Sequence, residues 1–153
     1  MRICYSMNRW FWLLLLFGWA SPALAGIDAE PTTFYIQLIR GTDQEKRQEI
    51  SWKPIGPKLS QRLSPIFRWK KYWEVNCQPI SVELGRISRS RLSDVRQVEI
   101  EPISPSEMEI RLFLKGNLVQ TCRQLVGTRI TIMGGDRTKN ESWFVVVRRD
   151  KPQ

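Results

Sequence analysis

The chain has 153 residues, of which 24 are Lys or Arg and 15 are Asp or Glu, so it carries a formal net charge of +9 without a single histidine. The missing histidine excludes a serine triad or a Cys–His pair and removes the commonest zinc ligand, while Lys- or carboxylate-based catalysis stays open. The surplus of cations points to an anionic partner, although the same charge also suits a merely soluble surface.

The first 25 residues read as a cleavable secretory signal peptide. Arg2 and Arg9 form a positive start, Trp10 to Ala20 is an apolar run, and Ser21-Pro22 breaks it. Ala23-Leu24-Ala25 puts small side chains where a signal peptidase needs them, so cleavage is expected before Gly26. The run is about half the roughly 20 apolar residues a membrane span requires. The mature chain, 26–153, is therefore expected to be exported to the periplasm or the exterior, with a net charge near +7 once Arg2 and Arg9 are gone. It should form one domain with no transmembrane segment after cleavage.

Alternation with period two dominates the mature chain. Phe34, Ile36 and Leu38 alternate with Tyr35 and Gln37, up to Arg40-Gly41. Residues 41–66 break the rhythm as a loop or short-helix insertion. Within it Pro57 suits a first helical position, and Leu59, Leu63 and Ile66 share one helical face, so a short helix is expected from about Pro57 to Ser64. Trp73, Val75 and Cys77 alternate with Glu74, Asn76 and Gln78. Pro79 is expected to break that phase before Ile80, Val82 and Leu84 resume it. Val98 and Ile100 follow, then Met108, Ile110, Leu112 and Leu114 against charged neighbours. Lys115-Gly116-Asn117 is the expected hairpin turn into Leu118–Leu125. Thr128–Met133 is a further strand. Trp143–Val147, apolar on both faces, should be central and buried. The tail 148–153 is charged and expected to fray.

Short strands separated by turns, with no βαβ rhythm, predict an all-β fold: a mostly antiparallel β-sandwich or small barrel of about eight strands with at most one short helix. An α+β fold is the alternative.

Two basic segments are the candidate binding face. In Phe67–Trp73 cations interleave with aromatics, a chemistry that grips anionic, ring-bearing ligands. Read as a strand, it puts Arg68, Lys70 and Tyr72 on one face and Phe67, Trp69 and Trp73 on the core side. Arg86, Arg89 and Arg91 form the second cluster, fit for phosphate or carboxylate, or else for guarding a sheet edge. Cys77 and Cys122 are in phase with apolar neighbours, so both are expected to point inward. There they form either a disulfide or two buried thiols. Two cysteines without histidine make no metal site, and no cofactor motif is present: Met133–Arg137 lacks the Gly-Lys-Ser/Thr ending of a phosphate loop. Glu99/Glu101 and Glu107/Glu109 are same-face carboxylate pairs, the one arrangement a histidine-free glycan hydrolase could use.

These readings converge on an exported, non-catalytic binding or assembly module of the cell envelope. Its expected partner is an envelope protein or an anionic envelope polymer; export argues against nucleic acid. The alternatives are a structural subunit that joins a complex by strand addition and a carboxylate-based glycan hydrolase.

Overall fold

The structure, a computed structural model, describes residues 31–44, 51–137 and 139–152. Residues 1–25, the expected signal peptide, lie outside them. Among the described residues nine strands form two antiparallel sheets, and the chain is a β-sandwich with one short helix. The strands are β1 (Thr32–Thr42), β2 (Lys53–Pro54), β3 (Lys71–Val82), β4 (Ser88–Arg91), β5 (Arg96–Pro102), β6 (Glu107–Leu114), β7 (Asn117–Leu125), β8 (Ile130–Arg137) and β9 (Glu141–Arg148), with α1 at Pro57–Leu63. Five of them make sheet A in the order β2-β3-β1-β9-β8, and sheet B runs β4-β5-β6-β7.

Sheet B is the simpler layer. Its alternation is clean: Met108, Ile110 and Leu112 of β6 are buried with Val98 and Ile100 of β5, while charged residues take the other face. These side chains meet Phe34, Ile36, Leu38, Val82, Val145 and Val147 of sheet A in the inter-sheet core. Each fully buried aliphatic or phenyl side chain contributes roughly 1.5–3 kcal/mol by leaving water. The β6–β7 hairpin turns on Lys115 and Gly116, both at positive φ (50° and 80°), the geometry that matches the strand twist in a two-residue turn.

Sheet A is covered on both sides. Its inner face meets sheet B. Its outer face meets a second cluster of Ile39, Leu59, Leu63, Trp69, Tyr72, Phe144 and Val146. This explains the doubly apolar β9: Val145 and Val147 point to one core, Phe144 and Val146 to the other. The helix forms because Pro57 pre-sets its first turn and Leu59 and Leu63, four residues apart, bury on the same cluster. Its last turn is closed by the Ser64 N–H donating to Ser60 O, and Pro65 stops it. The layer is tightly fitted: a Cβ on Gly41 would lie 2.6 Å from Trp69 Cδ1.

Two bulges change which side chains face in. The break in phase expected at Pro79 does not occur there; β3 runs unbroken through it, paired with Tyr35. Its missing N–H is tolerated because β2 pairs only with Trp73 and Glu74, so β3 is an edge at Pro79. The irregularity lies instead at Val75, where Leu38 pairs with Asn76 but Ile39 pairs with Glu74. Downstream of it Asn76 and Gln78 face inward. They reach the neighbouring sheet by hydrogen bonds, Asn76 Nδ2 to Leu92 O (2.8 Å) and Ser90 Oγ to Gln78 Oε1 (2.9 Å). A second bulge in β7 leaves Val119 unmatched, with Leu118 opposite Phe113 and Gln120 opposite Leu112. Leu118 is consequently 54% exposed rather than inward.

Candidate functional site: a basic cleft

The structure divides the six residues of the predicted basic face. Arg68 and Lys70 sit in the loop before β3, because the strand starts only at Lys71. Phe67 and Trp69 pack into the outer cluster and Arg68 and Lys70 are exposed, as the sequence reading has them, but Tyr72 joins the buried side instead of the basic face. Tyr72 is 5% exposed, packs beside Phe144 in the outer cluster and donates its hydroxyl to Phe67 O (3.1 Å). Burial raises its pKa above the ordinary 10.0, and it offers a partner nothing. Arg68 lies over the Trp69 ring, 4.6 Å from its centroid, and donates to Lys139 O. Lys70 is exposed.

The second segment is placed as expected, with Arg89 and Arg91 outward and Ser90 buried. All three arginines are neutralised from within: Arg86 by Glu83 (3.0 Å), Arg89 by Glu99 (2.7 Å) and Arg91 by Asp94 (3.5 Å). The Arg89 pair belongs to a lattice over the outer face of sheet B. Arg111 contacts Glu99, Glu101 and Glu109, and Arg123 holds Glu109 at 2.8 Å. Three of the four carboxylates that a hydrolase would need, Glu99, Glu101 and Glu109, are thus engaged with guanidinium groups.

A cluster of cations without ion-pair partners among the described residues lies elsewhere, on the outer side of sheet A. A cleft of about 500 Å³ opens between α1, the β7–β8 connection and the end of β9. Lys58 and Arg62 come from the helix, Arg129 from the connection, and Arg148 and Arg149 from the strand end. Asp150 is the one carboxylate among its lining residues. Leu59 and Ile130 supply its apolar part. Lys58, Arg62, Arg129 and Arg149 form no ion pair among the described residues. Arg148 does not start a frayed tail, as the sequence suggested; it ends β9 and is 8% exposed. It donates to Asp150 Oδ2 (2.5 Å), to Lys151 O (3.4 Å) and to Gln37 Oε1 (3.5 Å), and Gln37 in turn donates to Glu74. Its Nε is buried with no hydrogen-bond partner among the described residues. The Arg148 hydrogen bond, with Lys58 adding to the field, holds the Asp150 carboxyl below its ordinary 3.8.

The interleaving of cations and aromatics expected at residues 67–73 is built from different residues. Trp73, Arg40 and Trp143 form a row across β3, β1 and β9. The Arg40 guanidinium lies 4.7 Å from the Trp52 ring centroid, and that of Arg96 lies 4.4 Å from Trp143. Arg40 pairs with Glu141, which also accepts from Trp143 Nε1. Beside this stack a smaller apolar groove of about 220 Å³ opens between the sheets, bordered by Leu38, Leu112, Val119 and Val145.

Both cysteines are free thiols. Cys122 packs against the inter-sheet core as expected. Cys77 does not point inward: the Val75 bulge sets it opposite Gln37, on the outer face of sheet A. A cross-core bridge would have to pass through the sheet. Burial, reinforced by Glu74, pushes the Cys77 thiol above its ordinary 9.0. Among the described residues no group of three or more Cys, Asp or Glu stands where a metal could be held, and no helix is long and apolar enough to cross a membrane.

No protein-family model, no curated protein and no solved structure matches this chain. The class defined here is therefore one of architecture and site: a two-sheet antiparallel sandwich with a helix-capped outer face and a basic cleft at its rim.

Proposed function

We propose that the chain is an exported, non-catalytic binding module of the cell envelope that docks on an anionic partner through the basic cleft. One observation carries this reading: five cations and a single carboxylate line one opening, and four of those cations have no ion-pair partner among the described residues. Folding has little use for such an arrangement, since clustered like charges repel and raise the energy of the compact state. An anion entering the cleft removes that cost and gains charge-assisted hydrogen bonds from the guanidinium forks. Export rests on the leader, residues 1–25, and explains why an envelope component rather than nucleic acid is the partner. The reading as non-catalytic is supported by the sheet B carboxylates Glu99, Glu101 and Glu109, which arginines hold in a structural lattice.

The test is a binding titration of the protein with an anionic polymer over a roughly tenfold range of salt. Affinity should fall steeply as salt rises, and replacing Arg62 and Arg129 with Gln should abolish most of that slope. Binding that ignores both salt and these substitutions would refute the cleft as the docking site.

Strand addition remains a second reading with its own support. β7 is the free edge of sheet B and exposes Leu118, Val119 and Leu125 along it. A partner strand there would bury apolar surface and extend the ladder. Its binding would be insensitive to salt and would be blocked by Thr121→Pro, which removes an edge N–H.

A further inference from the structure

The cleft already contains an anion. Asp150 lies two residues beyond Arg148 on the chain segment that follows β9. Its side chain is 66% exposed, yet it holds the buried Arg148 guanidinium at 2.5 Å. The rest of the lining is cationic, with Lys58 near enough to Asp150 to act on its carboxyl. A carboxylate supplied by the chain itself thus stands where a ligand would make its best contact, with charge left over around it.

We propose that the cleft selects a multiply charged phosphate group over a carboxylate, and that Asp150 sets this threshold as a built-in competitor for Arg148. The proposal rests on the basic cleft being the docking site. At Arg148, the one cleft cation that is nearly buried, an incoming single carboxylate can only exchange with Asp150, losing one charged hydrogen bond for each it makes. It also faces the high local concentration of a tethered rival. A phosphate group with close to two charges and three acceptor oxygens does more. It can take the Arg148 contact and at the same time engage Arg62, Arg129 or Arg149, which Asp150 leaves unneutralised. The cleft, at about 500 Å³, accommodates more than one such group. Two sources share this chemistry: phosphates along a soluble polymer, and the headgroup of an acidic lipid.

Isothermal titration of the purified protein at fixed ionic strength, with inorganic tripolyphosphate and with acetate, tests the idea. The wild type should bind tripolyphosphate and show no measurable acetate binding. Asp150→Asn should tighten tripolyphosphate roughly fivefold, the scale of one screened surface charge pair, and should bring acetate into the measurable range. Asp94→Asn controls for net charge, because Asp94 is fully exposed and lies outside the cleft lining. It should change either affinity less than twofold. Vesicles of phosphatidylcholine with and without phosphatidate form the third arm. Retention only with phosphatidate assigns the lipid source, and no retention beside tripolyphosphate binding assigns the soluble one. Equal gains from Asp150→Asn and Asp94→Asn, or acetate bound as well as tripolyphosphate by the wild type, would overturn the selectivity while leaving the docking site intact. No binding of tripolyphosphate by any of these proteins would remove the docking site itself.

Discussion

The arginines of sheet B and those of the cleft have the same chemistry and opposite circumstances. On sheet B, Arg89, Arg111 and Arg123 face Glu99, Glu101 and Glu109 across neighbouring strands, so each cation has its counter-charge one ladder position away. In the cleft the cations converge from three separate elements onto one opening with a single carboxylate. Arginine number therefore says little about binding. What separates a structural cation from an available one is whether the fold has already supplied its partner.

That contrast can be broken most forcefully at the two places holding the layers together. Leu63 is fully buried and anchors α1, which carries Lys58 and Arg62. Leu63→Ala should cost about 3 kcal/mol in a urea titration and reduce anion affinity with it, since the helix loses its seat. Arg111→Met attacks the other region. Glu99 and Glu109 have side chains only 10% and 15% exposed, and removing the guanidinium they share leaves each nearly buried carboxylate with one arginine, Arg89 or Arg123, in place of two. A loss of about 2–3 kcal/mol is expected, below the full range for a deeply buried pair, with anion affinity unchanged. A loss of affinity with Arg111→Met would show that the two regions are not independent.

The converse substitutions should leave the fold alone. Arg62→Gln and Arg129→Gln should shift stability by less than about 0.5 kcal/mol, as surface changes do, while each lowers affinity for a polyanion roughly tenfold, as loss of a charge-assisted contact does. Parallel changes at Arg86 and Arg91 should alter affinity less than twofold. The Arg148–Asp150 pair gives a smaller, pH-dependent signature. Because the Asp150 carboxyl is held below 3.8, its pairing stabilises the native state at neutral pH and is lost only as pH falls through the depressed value. The stability difference between wild type and Asp150→Asn should be a few tenths of a kcal/mol above about pH 4, the size of a screened surface pair, and should close below it. A stability effect separate from both charged regions belongs to the hairpin. Lys115 occupies a positive φ that costs an L side chain energy, so Lys115→Gly should raise stability by about 0.5–1 kcal/mol without touching either charged region.

Much of the architecture was legible in the sequence. The period-two pattern predicts the antiparallel sheets, the two-sided apolar run predicts an interior β9, and Lys115-Gly116 predicts the turn. The errors trace to bulges. One extra residue at Val75 and another at Val119 reverse the phase between the side chains on either side of them, and neither carries a mark in composition. Hence Cys77 faces away from the inter-sheet core and Leu118 toward solvent. Tyr72 was misplaced for a related reason: the strand starts four residues later than the interleaved aromatic segment does. The candidate site was hardest to see. Cations close in sequence, such as Arg86, Arg89 and Arg91, attract the eye, but a hairpin also brings carboxylates beside them. The cleft joins Lys58 and Arg62 to Arg129 and Arg149, and only the folded topology shows that these distant residues share an opening.

The most direct test of the account is a nuclear magnetic resonance titration of the isotope-labelled protein with inorganic tripolyphosphate. The account predicts shifts confined to the amides of Lys58, Arg62, Arg129, Arg148 and Arg149, the Lys58 ammonium and the four guanidinium groups, with the strands of sheet B unmoved. Shifts centred on Arg86–Arg91, or spread evenly over every exposed cation, would contradict it.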